Sequence, residues 1–86
     1  MKKLIEVDDN EGLESLMGEN VTLMCSSFFY TGKLVGVNQI CVKIEDPSVI
    51  YETGSWGDKE WADSQKLPSR YLYVMINHME SFGVLK

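Results

Sequence analysis

The sequence predicts an all-β domain, a short N-terminal helix followed by a strongly bent five-stranded antiparallel small barrel. Three observations predict it. Apolar residues alternate with polar ones in closely spaced runs from Val21 onward, the period-two signature of half-buried strands. The stretch from Phe28 to Asp46 carries Gly32 and Gly36 in its first half. Glycine inside a strand marks a bulge, a sharp bend or a close approach of backbones. Helical spacing is found in one short segment ahead of the strands. Strands that dominate, lie close together and include one that must bend describe a small, highly curved barrel.

The helix is expected over about residues 9–17. Asp8 and Asp9 are N-cap candidates, and Glu11 stands three residues after Asp8, as a capping box prefers. Leu13, Leu16 and Met17 make one apolar face, and Gly18 is a natural stop. Gly12 limits the segment to about two turns. The first strand is expected at 21–26 and the second at 28–37. The third covers 39–52, with Ile40, Val42 and Ile44 inward and Cys41, Lys43 and Glu45 outward. Asp46-Pro47 interrupts it, and Val49 to Glu52 resume it across a bulge. Residues 53–69 read as a long loop with no sustained period. Loops of that length are often functional. The fourth strand falls at 70–79 and the fifth at 80–85.

Length and charge narrow the function. A chain of 86 residues with 44% hydrophobic content builds one domain, here 1–86. No apolar run approaches the ~20 residues of a membrane helix. The basic start, Lys2-Lys3, is not followed by an apolar secretion signal. The chain is therefore expected in the cytoplasm, that of a host cell if the gene is viral. Cys25 and Cys41 are expected to be reduced thiols. Two cysteines and one histidine without ligand spacing do not make a zinc site. The net charge of −5 argues against indiscriminate nucleic-acid binding. No nucleophile motif, glycine-rich phosphate loop or paired carboxylates are present. The chain is expected not to be an enzyme and to need no cofactor or metal.

The order of elements and several residues resemble the Sm and Sm-like family, including the bacterial Hfq-type RNA chaperones. The helix offers Leu13 and Leu16, and Val21-Thr22-Leu23 supplies the first strand. Tyr30-Thr31-Gly32-Lys33-Leu34 fits the family's aromatic-x-Gly-x-Leu element. Asn38 falls where the family usually shows Asp, and Ile40, Val42 and Ile44 follow with the spacing of the bacterial branch. Tyr73 to Phe82 falls where the second motif is expected, with Asn77-His78 in place of the usual Arg-Gly or Lys-His.

The resemblance implies a homo-oligomeric ring, closed by pairing the fourth strand of one copy with the fifth of the next. It implies that Asn38, Gln39, Ile40, Asn77 and His78 line a pore that holds single-stranded, U- or A-rich RNA. Amides read base edges and flat side chains stack on base faces. The other reading of Asn38–Ile40 is a plain turn in which Asn38 tolerates a left-handed backbone. His78, the lone histidine, also suits a structural or exposed role. Trp56 and Trp61 stand among Asp58, Glu60 and Asp63, against Lys59 and Lys66, an acidic balance that disfavours phosphate. They suit base stacking, a protein partner, or packing over a barrel end or a neighbouring subunit. Lys2 and Lys3 suit either contact with RNA or a solvated terminus. The alternative function is a structural or protein-interaction scaffold ring, such as a viral (phage) assembly component, that binds no nucleic acid.

Overall fold

The computed structural model describes residues 4–6 and 10–86. Six strands form one antiparallel sheet: β1 (Asn20–Cys25), β2 (Phe29–Val37), β3 (Cys41–Glu52), β4 (Asp63–Lys66), β5 (Tyr71–Met75) and β6 (Met79–Gly83). The strand order is β4-β3-β2-β1-β6, and β5 also pairs with β3. β3 is the longest strand, and two strands share its outer edge. Its first half, Cys41–Glu45, pairs with β5; its second half, Ser48–Glu52, pairs with β4.

The two halves of β3 meet at a corner. Asp46 takes a left-handed φ of 52°, and Pro47 is buried without an N–H to offer the ladder. Across the corner the chain closes its own hydrogen bonds. The Asp46 N–H donates to the Arg70 carbonyl at 2.8 Å, and the Leu67 N–H to the Pro47 carbonyl at 2.9 Å. Facing the corner on β2 is Gly32. A Cβ there would lie 2.9 Å from the Glu45 carbonyl oxygen and 3.2 Å from the Ile44 Cβ. Only a residue without a side chain lets the two backbones approach this closely. The β2–β3 register shifts between Thr31 and Lys33, and again between Leu34 and Gly36. Both glycines of the bent strand therefore lie at bulges, which increase twist and re-aim the strand.

The bends curl the sheet around a single core. Val21, Leu23 and Cys25 of β1, Leu34 of β2, Val42 and Ile44 of β3 and Val74 of β5 form one buried cluster. β5 and β1 share no ladder, yet Val74 and Val21 belong to the same core. Among the described residues, the outer edges of β5 and β6 pair with no strand.

Four expectations are corrected. Ile40, expected inward in the third strand, lies ahead of β3, which begins at Cys41, and is exposed at the tip of the preceding turn. The N-terminal helix over about 9–17 is not seen among the described residues. Leu13–Leu16 make a single 3-10 turn, and Asp8 and Asp9 lie outside the described residues. Gly12 explains it: φ 80°, ψ −169° just ahead of the turn breaks any helical run, and Met17 is already extended behind it. The expected loop 53–69 contains β4, so the sheet has six strands rather than five. The expected strand at 70–79 is cut at Met75 by a second 3-10 turn, Ile76–His78, before β6 begins. None of the helical segments described is long and apolar enough to cross a membrane.

Candidate nucleic-acid interface

The turn between β2 and β3 is built by Asn38. Its backbone N–H donates to the Cys41 carbonyl at 3.0 Å. Its side-chain Oδ1 accepts the N–H groups of Ile40 and Cys41, each at 2.8 Å. An asparagine that bonds its own following backbone in this way mimics a turn of main chain. The Asn38 carbonyl oxygen is thus engaged within the turn, and its amide NH2 is the group left to face a ligand.

Gln39 and Ile40 form the tip of the turn, and Ile40 is 62% exposed. The Ile40 carbonyl accepts the N–H of Ile76 at 2.8 Å. That bond ties the β2–β3 turn to the 3-10 turn between β5 and β6. Where the two turns meet, Gln39, Ile40, Met75, Ile76 and Asn77 line a shallow cleft of about 260 Å³. Three apolar side chains beside two amides suit a flat ligand with a hydrogen-bonding edge. Each amide brings two donors and one acceptor.

The five residues expected at one pore are therefore divided. Gln39, Ile40 and Asn77 share the cleft. Asn38 borders a neighbouring hollow of about 150 Å³ with Lys43 and Tyr73. His78 lies in a third cleft, about 240 Å³, with Cys25, Phe28, Tyr30 and Tyr73 among its walls. Burial there pushes the Cys25 thiol above its ordinary pKa of 9.0, and the nearby charge of Glu80 adds to the effect. A thiol held protonated is a poor nucleophile. Among the described residues, no three His, Cys, Asp or Glu side chains gather to hold a metal.

Sequence reasoning missed a cationic aromatic surface on the outer face of β3 and β5. The Lys43 Nζ lies 4.1 Å from the centre of the Tyr71 ring and 5.6 Å from that of Tyr73. Arg70 approaches Tyr71 at 5.4 Å and pairs with Glu45 at 3.6 Å. The signal was present: Lys43 alternates outward in β3, and Tyr71 and Tyr73 alternate outward in β5. The tryptophan loop folds back on the sheet. Trp56 and Trp61 meet edge to face at 6.1 Å, and Phe29 of β2 stacks on Trp56 at 6.5 Å. Comparison with family models, with curated proteins and with solved structures finds no match to this chain.

Proposed function

We propose that this chain is a Sm-like small barrel that assembles into a homo-oligomeric ring and binds single-stranded RNA at the pore. The observation that carries this reading is the meeting of two turns. The β2–β3 turn and the β5–β6 turn, far apart in sequence, place Gln39, Ile40 and Asn77 around one cleft. Gln39 and Asn77 would read a base edge while Ile40 packs on its face. The unpaired outer edges of β5 and β6 support the ring, with β5 of one copy adding to β6 of the next. Weak sites repeated around such a ring act together. Among the described residues no lysine or arginine lines the cleft, so the contact they offer would be to bases, and its affinity would fall only gently with salt.

Native mass spectrometry with short uridine and adenine oligonucleotides tests the reading. A closed oligomer should take up one oligonucleotide per ring. Gln39→Ala with Asn77→Ala should abolish uptake and leave the oligomer intact. Uptake that survives the double substitution overturns the site, and a monomer under all conditions overturns the ring.

One observation favours the second reading, a scaffold ring without nucleic acid. Phe28, Tyr51 and Trp56 are 46%, 53% and 62% exposed on a chain of net charge −5, a surface better suited to protein than to phosphate. A closed oligomer with no uptake of either oligonucleotide supports it.

A further inference from the structure

The loop between β3 and β4 encloses a cation. The Thr53 carbonyl accepts the Ala62 N–H at 3.4 Å, and the Ser55 carbonyl accepts the Asp58 N–H at 3.1 Å. The Asp58 carboxylate in turn accepts the Ser55 N–H at 3.3 Å. Each carbonyl keeps a second lone pair, and both are given to one group. The Lys86 Nζ donates to Thr53 O at 3.3 Å and to Ser55 O at 2.9 Å. The same ammonium lies 4.5 Å from the Trp61 ring centre and 5.8 Å from that of Trp56. The rings stand at 84° to one another and form two walls of a corner. Tryptophan is the best partner for a cation over an aromatic face.

We propose that this corner is a receptor for a lysine ammonium, and that a lysine in a basic segment of a partner protein enters it in exchange for Lys86. Two features argue for exchange rather than a fixed anchor. A segment held by packing would bury its apolar residues, yet Val84 and Leu85 are 54% and 47% exposed. The segment after β6 is held at its ammonium. The indole N–H of Trp61 is also buried with no acceptor among the described residues. A backbone carbonyl of an incoming peptide would satisfy that donor. Charge selects the class of partner. Glu52, Asp58, Glu60 and Asp63 lie within or beside this stretch against Lys59 and Lys66, an acidic balance that favours a basic peptide over phosphate.

Lys86 then acts as a tethered competitor, at an effective concentration on the order of millimolar. The test uses the full chain with Lys86→Met, which keeps the aliphatic stem and removes the charge. The probe is N-acetyl-lysine N-methylamide, with the norleucine analogue as its uncharged counterpart. Both tryptophans of the chain form the corner, so intrinsic fluorescence reads the site directly. Lys86→Met should bind the lysine probe about tenfold more tightly than the wild type, and the norleucine probe should not bind. In the wild type, the Trp61 indole proton resonance should move at high concentrations of the lysine probe, a readout that needs no substitution. Equal affinity in the two proteins, equal response to norleucine, or an unmoved indole resonance overturns the proposal. If wild-type affinity for the probe falls as protein concentration rises, the occupant is Lys86 of a second copy, and the assignment to a partner protein is overturned.

Discussion

Gly32→Ala sets a methyl group 2.9 Å from a backbone carbonyl that two strands hold in place. Overpacking at a rigid site costs about 1–3 kcal/mol. The variant should unfold at a clearly lower urea concentration, while Gly57→Ala, with nothing among the described residues within 4 Å of its added Cβ, should unfold near the wild-type midpoint. Cys25 gives a second residue-scale prediction, with a sign fixed by linkage. Its thiol pKa lies above 9.0 in the fold, chiefly through burial. The unfolded chain therefore loses this proton first as the pH rises. The associated stability is complete below pH 9.0 and is lost as the pH climbs toward the raised value. Urea midpoints measured across the alkaline range should fall more gently in Cys25→Ala than in the wild type, although that variant starts lower through lost packing. The need for Gly32 was legible in the sequence because a glycine inside an alternating run has few explanations. The engagement of Asn38 was only half legible. Its turn propensity was visible, but the sharing of Oδ1 between two N–H groups depends on the backbone path to Cys41.

At the scale of elements, β4 separates strand formation from burial. All four of its residues are exposed, and among the described residues it has a ladder on one side only, to β3. The bond from the Tyr51 hydroxyl to the Gln65 side chain, at 2.6 Å, is a supplement on the solvent side. Hydrogen exchange should therefore be faster at the amides of β4 than at those of β2, which is paired on both edges. Equal protection would mean that β4 opens only with the whole sheet. The sequence could not announce β4, because Asp63-Ser64-Gln65-Lys66 has no apolar alternation and is ordered by its neighbour. The 3-10 turn at Leu13–Leu16 shows the opposite failure. Leu13 and Leu16 do have helical spacing and pack on the core, but the backbone of Gly12 denies them a helix. By contrast, β3 crosses its Asp46-Pro47 corner as the sequence predicts, because a proline in a strand restricts the geometry to a bulge or an edge.

For the whole molecule, charge and edges act against each other. Each copy carries a net charge of −5, so copies that join edge to edge repel one another, and salt weakens that repulsion. The proposed ring should thus become more populated as salt increases, as measured by sedimentation velocity. A ring that dissociates in salt would mean that ion pairs, not strand edges, hold it together. Which turns meet at the cleft is a property of this scale too. Ile40 and Asn77 share no local pattern, and only the pairing of β5 with β3 brings them together. The cleft was therefore suggested by resemblance and not by spacing.

The pairing of β1 with β6 has a consequence for how the chain is made. Thr22 lies opposite Gly83, and Cys25 opposite Met79, so this ladder joins the most distant strands in the sequence. The β2–β3 hairpin can close before β6 has been synthesised; the β1–β6 ladder cannot. A nascent chain keeps the outer edge of β1 bare until β6 has emerged, and of the ladders in the sheet this one closes the longest loop and carries the largest closure entropy.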